Sequence, residues 1–324
     1  MALKIGLTLP NRGVLFDATT PAELLDLATI ADQTGAFDSV WVGDSLLAKP
    51  RLEAITLLAA VAARTSNVRI GPACMASFPL RDPIQLADQW ASLDQLAQGR
   101  TVLVACNGNV EQAGVQVESE VWKVGRKERV ERVTEGLQIV RKLFQEDDVS
   151  FDGKHYSFRN VTIAPKPYNP GGPPIWLAVH APRDNERAVE LSHKRIINYA
   201  DGWQTSKWAY DDLEWRIKDL RERAAAAGRD PNALETHLYH NVNLTEDIDA
   251  ATAESKKFLD LYYTADFPIQ HVQGWTSQGT PEQIVERLKR YEEIGFDGVT
   301  LRITSWNQRE QLDRLINEVL PHFA

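Results

Sequence analysis

Cysteine is almost missing from this chain: Cys74 and Cys106 are the two in 324 residues. That is too few for a disulfide scaffold, so reduced thiols in the cytoplasm are expected. Long apolar runs are missing too. No segment approaches the roughly 20 residues needed to span a bilayer, and Met1-Ala2-Leu3-Lys4-Ile5-Gly6 enters a strand pattern without the apolar core of a signal peptide. No membrane association is expected. Basic charge is in deficit, with 36 Lys and Arg against 45 Asp and Glu and a formal net charge of −9. This argues against a nucleic-acid partner. It leaves small-molecule substrates open, because a local basic pocket can sit on an acidic protein. No Gly-x-Gly-x-x-Gly follows the first strand, which weakens a dinucleotide-binding reading. That strand ends Leu7-Thr8-Leu9-Pro10-Asn11 without His-x-His, and His237 and His240 point to opposite faces of their strand. No metal site is expected.

What is present is a repeated grammar. Thr20-Pro21-Ala22-Glu23, Asp82-Pro83-Ile84-Gln85 and Thr280-Pro281-Glu282-Gln283 each place an N-cap, a proline at the first helical position and an acid or amide two residues on. The helices they open end near Gly35, Gly99 and Gly295, as a left-handed C-terminal cap prefers. Strands follow those glycines. Eight strands are expected at 3–9, 38–43, 68–74, 101–106, 175–179, 199–204, 235–244 and 298–303. Helical patterns separate them at 21–34, 51–65, 83–98, 126–146, 183–194, 208–227, 247–263 with 281–294, and 307–320. Eight strands alternating with helices suit a (β/α)8 barrel, read as one domain over 1–324.

Two segments break the rhythm. Residues 147–174 read as an insertion, a hairpin around Asp152-Gly153 followed by a proline-rich link. Residues 264–279 are long for a structureless loop and read as a lid or extra elements.

The stretch from Phe37 to Ser45 carries the strongest functional signal. It is a short apolar strand that delivers Asp44 and Ser45 where it stops. In a parallel barrel the strand C-termini form the active face, so a carboxylate there reads as chemistry.

These residues resemble the bacterial luciferase-like superfamily of flavin- and deazaflavin-dependent oxidoreductases. The resemblance is carried by Val40-Trp41-Val42-Gly43-Asp44-Ser45, by Pro50-Arg51-Leu52-Glu53-Ala54, and by Arg81-Asp82-Pro83 leading to Leu96-Ala97-Gln98-Gly99-Arg100. Pro173-Pro174-Ile175-Trp176-Leu177-Ala178, Ala200-Asp201-Gly202-Trp203 and Gly279-Thr280-Pro281-Glu282 continue it. It implies a (β/α)8 barrel with an isoalloxazine-type ring at the C-terminal face. The cofactor it implies is the deazaflavin coenzyme F420, or else FMN.

Position by position, the resemblance puts Asp44 near the ring. It puts Ala73 and Cys74 on a strand-three bulge that holds a non-prolyl cis peptide against the ring's back face in deazaflavin members. It puts Asn107 and Gly108 in a turn beside the ring. Ala178 and Val179 end strand five within the cofactor site. Thr205, Ser206 and Lys207 match a phosphate-binding loop, and Arg309 a phosphate-binding arginine. Deazaflavin sugar-phosphate dehydrogenases carry a catalytic Glu just after the turn, where this chain has Asn109. That departure counts against their specific activity.

The leading expectation is hydride transfer between F420 and a small organic substrate, with Asp44, Asn107 and His180 as groups for proton transfer and orientation. His180 follows strand five and titrates near neutrality. One alternative is a two-component FMN-dependent monooxygenase supplied by a separate flavin reductase. The other is a flavin-binding protein without turnover. The family implies a homodimer, for which the apolar helix from Leu52 to Ala62 is a candidate face, although a buried core helix explains it as well. For the cysteines, and for any one of Trp203, Trp208, Trp275 and Trp306, packing is the simpler role.

Overall fold

The computed structural model of this chain describes residues 2–108 and 113–323, so Asn109 lies outside them. The chain runs β1 (Lys4–Leu9), α1 (Pro21–Thr34), β2 (Ser39–Val42), α2 (Ala54–Arg64), β3 (Arg69–Pro72), α3 (Pro83–Leu96), β4 (Leu103–Cys106), α4 (Ala113–Trp122) and α5 (Arg126–Gln145). A hairpin of β5 (Val149–Asp152) and β6 (Ser157–Val161) follows. Then come β7 (Ile175–Ala178), α6 (Glu186–Tyr199), β8 (Gly202–Thr205), α7 (Tyr210–Ala226), β9 (Glu235–Leu244) and α8 (Ile248–Tyr263). The chain closes with α9 (Ile269–Trp275), β10 (Thr276–Gly279), α10 (Pro281–Ile294), β11 (Gly298–Ile303) and α11 (Gln308–Arg314).

Parallel strands lie in the order β3-β2-β1-β11-β9-β8-β7-β4. The bridges Ile70↔Thr101 and Met75↔Ala105 link β3 to β4, so the eight strands form a nearly closed barrel. Every strand and helix expected from the sequence is found, with ends shifted by a few residues. Helix starts behave as their punctuation requires. Thr20 Oγ1 accepts the Glu23 N–H, and Glu23 returns a carboxylate to the Thr20 N–H at 2.7 Å. Asp82 accepts from both Ile84 and Gln85. Gly35 and Gly295 end α1 and α10 in the left-handed region.

The hairpin sits outside the barrel sheet and pairs only with itself. Residues 264–279 contain α9 and β10, and β10 lies parallel to the second half of β9. Helix α4 was not foreseen. Among the described residues, no helix is long and apolar enough to cross a membrane.

The barrel's interior is aromatic. Trp41 and Trp176 lie 5.4 Å apart, with His237 at 5.3 and 5.1 Å from them. Glycine makes the room. A Cβ on Gly6 would sit 2.7 Å from Trp41 Nε1, and one on Gly202 would sit 2.7 Å from Trp176. Burial pushes the His237 imidazole down to about 3, with Arg69 adding to it, so the ring is a neutral packing element. Arg69 joins Asp38 at 2.8 Å and Glu235 at 2.7 Å beside this plug.

Candidate active site

The functional end is where the parallel strands stop. Asp44 follows β2 and is buried. Its Oδ2 accepts the Ser77 N–H at 2.7 Å, and its Oδ1 lies 3.5 Å from Arg81, which is shared with Glu53 at 2.7 Å. Burial raises the Asp44 carboxyl, while Arg81 and Ser77 oppose the rise. This geometry makes Asp44 a clasp between the loops after β2 and β3, three residues beyond the β3 bulge.

At that bulge the Ala73–Cys74 peptide bond is cis. Met75 then donates to Val104 O at 2.8 Å, which lays the bulge alongside β4. Cys74 and Cys106 come together there, with Cα atoms 6.1 Å apart and their sulfurs joined. The expectation of separate reduced thiols is thereby corrected. Nothing in the local sequence of either cysteine shows that the β3 bulge runs beside the tip of β4.

Ala73, Cys74 and Ala178 pack on Trp41, Val102, Val104 and Trp176. The result is an apolar floor at the barrel mouth. Two polar atoms beside it lack partners among the described residues: Asn107 Oδ1, just past β4, and Gln204 Nε2, on β8. Ala178 pairs with Cys106 on one side and Gln204 on the other, so both groups flank the floor. An unpaired acceptor and an unpaired donor around an apolar shelf suit a flat heterocycle with carbonyl and N–H edges. Gly108 turns the chain beside Asn107 with φ of 74°.

Val179 accepts the Trp203 indole N–H at 2.7 Å, which fixes the end of β7. His180 follows. Its surface is exposed, although protein surrounds the ring. Dehydration by those surroundings pushes the imidazole down to about 4, with Lys207 and then Arg216 contributing. His180 is therefore neutral at neutral pH, a hydrogen-bond partner and not an imidazolium acid. Thr205 Oγ1 accepts the Lys207 N–H at 3.2 Å and shapes the loop that carries Ser206. Lys207 is half-buried, has no ion pair among the described residues, and acts on His180 and His271. It is available to an anion.

Arg309 departs from expectation. It is 66% exposed, binds Asp313 at 2.9 Å, and lines a groove between α11 and α1 with Glu23 and Asp26. Its side chain runs along its own helix, so it is not gathered with Lys207.

The opposite rim was not anticipated. Asn11 Nδ2 donates to Gly43 O and Leu52 O, and its Oδ1 accepts from Gly43 N and Tyr262 Oη. Arg51 reaches over Gly43, where a Cβ would meet its guanidinium at 2.2 Å. Arg302 on β11 is fully buried beneath the rim. No spacing rule flags these residues, since they come from loops and strands far apart in sequence.

The luciferase-like monooxygenase family matches residues 3–276. Among curated relatives, an F420-dependent glucose-6-phosphate dehydrogenase of Intrasporangium calvum is 28% identical over 93% of this chain and 94% of that protein. The oxygenase component of a flavin-dependent trigonelline monooxygenase of Acinetobacter baylyi is 22% identical over 93% of this chain and 89% of that protein. The fold matches an F420-dependent secondary alcohol dehydrogenase, solved with an F420-acetone adduct, at a TM-score of 0.82 with 20% identity and full coverage of both chains. With its barrel and most of its length matched, this chain belongs to the luciferase-like monooxygenase family.

Proposed function

We propose that this enzyme transfers hydride between the deazaflavin coenzyme F420 and a small organic substrate. The supporting observation is the apolar floor of Ala73, Cys74 and Ala178, flanked by the unpaired Asn107 Oδ1 and Gln204 Nε2. A bound deazaflavin would supply a two-electron hydride donor or acceptor. Ala73, Cys74 and Ala178 would support one face of such a ring, Asn107 and Gln204 would meet its polar edge, and Lys207 with Ser206 and Thr205 would hold its phosphate. Asp44 positions the bulge through Ser77. His180, neutral and exposed, orients the substrate and accepts or donates a hydrogen bond. The F420-dependent relatives favour the deazaflavin over FMN. Asn109, where the family resemblance leads one to expect a catalytic Glu, counts against glucose 6-phosphate oxidation as the specific activity.

The flavin-dependent relative supports a second reading, an FMN-dependent monooxygenase fed by a separate reductase. Fluorescence titration with F420 and FMN, each oxidised and reduced, decides between them. Tight binding of F420 is expected. Preference for reduced FMN with substrate-dependent oxygen uptake would overturn the first reading in favour of the second.

A further inference from the structure

Four cations converge on the rim formed by β1, β2, β11 and the end of α8. Arg302 is fully buried, and its Nη1 has no partner among the described residues. Its other contacts are neutral: Asn241 Oδ1 at 2.9 Å, Tyr263 Oη at 3.0 Å, and the rings of Tyr262 at 4.1 Å and Tyr239 at 5.1 Å. Lys49 Nζ lies 5.1 Å over the Tyr263 ring, and Arg51 lies 5.0 Å over the Tyr262 ring while donating to Tyr262 Oη. Arg12 donates to the carbonyls of Leu261 and Pro50. Two adjacent tyrosines thus separate a buried guanidinium from two half-buried cations.

None of the four has an ion pair among the described residues. The acid among the described residues that acts on Lys49 is Glu118, and its oxygens are already taken by Leu47 N, Ala48 N and Arg129. Dehydrated cations without a counter-ion are costly. The acids among the described residues that act on this group are Glu118 on Lys49 and Asp44 on Arg51, and Asp44 is already engaged by Ser77 and Arg81, so in a chain of net charge −9 an anion from outside would relieve the crowding of four cations here. Burial and the neighbouring Arg51 already pull the Lys49 ammonium down to about 8.

The place of this cluster matters. Around the barrel β2 stands opposite β8, and Lys49 and Arg51 belong to the loop that follows β2, Lys207 to the loop that follows β8.

We propose that the Lys49–Arg51 pole is a subsite for an oxyanion, the carboxylate or phosphate group of the substrate, with Arg302 supplying charge beneath it. Calling that ligand the substrate rests on the proposed function, in which the Lys207 pole takes the cofactor phosphate. The presence of the subsite itself does not depend on it.

The test is calorimetric titration of the whole protein, free of cofactor, with inorganic phosphate and separately with acetate. Lys49→Met should weaken the anion at this pole at least tenfold. Lys49→Arg should restore it, and Lys207→Met should leave it in place. Comparing Met with Arg at one half-buried position controls for folding, and melting temperatures confirm it. Tighter phosphate binding points to a phosphate ester, and tighter acetate binding to a carboxylic acid; both outcomes uphold the subsite. Unchanged anion binding in Lys49→Met, or loss of all anion binding in Lys207→Met, overturns it. A protein that ignores F420 yet binds anions through Lys49 would sink the cofactor reading and leave this one standing.

Discussion

Asn11 grips Gly43 from both sides, donating from Nδ2 to its carbonyl at 2.8 Å and accepting its N–H on Oδ1 at 3.1 Å. The same amide holds Leu52 O and Tyr262 Oη, so one fully buried side chain ties the loops after β1 and β2 to the end of α8. Asn11→Ala leaves buried backbone groups unpaired and should lower unfolding stability by about 3 kcal/mol. Urea denaturation measures it. A loss below about 1 kcal/mol would mean that the rim is held by other contacts. Gly43→Ala should be comparably damaging, because its Cβ would fall 2.2 Å from Arg51 and 2.8 Å from Tyr262 Oη.

Asp32 is the cap of another junction. Its carboxylate accepts from the backbone of Ser66, Asn67 and Val68, at 3.0, 2.7 and 2.9 Å. Burial alone would raise this carboxyl, but the three N–H donors and the Asn67 amide outweigh it and hold it below the usual range. A depressed folded value gives stability that is present above the ordinary carboxylate range and lost as pH falls through the folded value. Asp32→Asn should therefore be less stable near pH 7 by about 1–3 kcal/mol, with the gap closing in acid. A gap independent of pH would refute the assignment to ionisation.

His180 should titrate near 4 in an NMR pH series, against an ordinary value near 6.5. Its folded value is lowered, so its contribution to stability is complete above the ordinary histidine value and lost as pH falls toward the folded one. Lys207→Met removes a neighbouring cation and should move the midpoint upward. A midpoint already near 6.5 would place His180 in bulk-like water and restore it as an imidazolium donor.

Lys49 offers a second titration, with a midpoint of about 8 where 10.5 is ordinary. The groups facing it are Arg51, Arg12, Arg302 and Glu118. Reductive methylation with carbon-13 formaldehyde, followed by an NMR pH series, should show one dimethyl-lysine resonance moving near that value and absent from Lys49→Met. If every lysine titrated near 10, the cations would not be crowded as described.

The barrel was legible because its signals are local. Thr20 with Glu23, Asp82 with Gln85, and the glycines at 35 and 295 act within one helical turn, and apolar strands lie between them. Asp44 stands out because a strand end can be counted along the chain, and Asn107 and Lys207 were singled out by the family resemblance. Arg302 was not, because a fully buried arginine inside β11 contradicts the rule that charge stays outside, and its reasons lie in Tyr239, Tyr262 and Tyr263. Asn11 and Gln204 look like ordinary polar residues until their neighbours are placed. For Arg309, position near a helix start does not say which way a side chain turns, and here it turns to Asp313 on its own helix. The joining of Cys74 to Cys106 depended on an irregular bulge crossing to the next strand.

The plug of Trp41, Trp176 and His237 leaves the barrel no through passage, so traffic is confined to one doorway. A flat molecule resting on the shelf of Ala73, Cys74 and Ala178 must arrive before whatever stacks above it and must depart after it. On the proposed function, such a shelf would favour an ordered sequence of arrivals, with the deeper guest first in and last out.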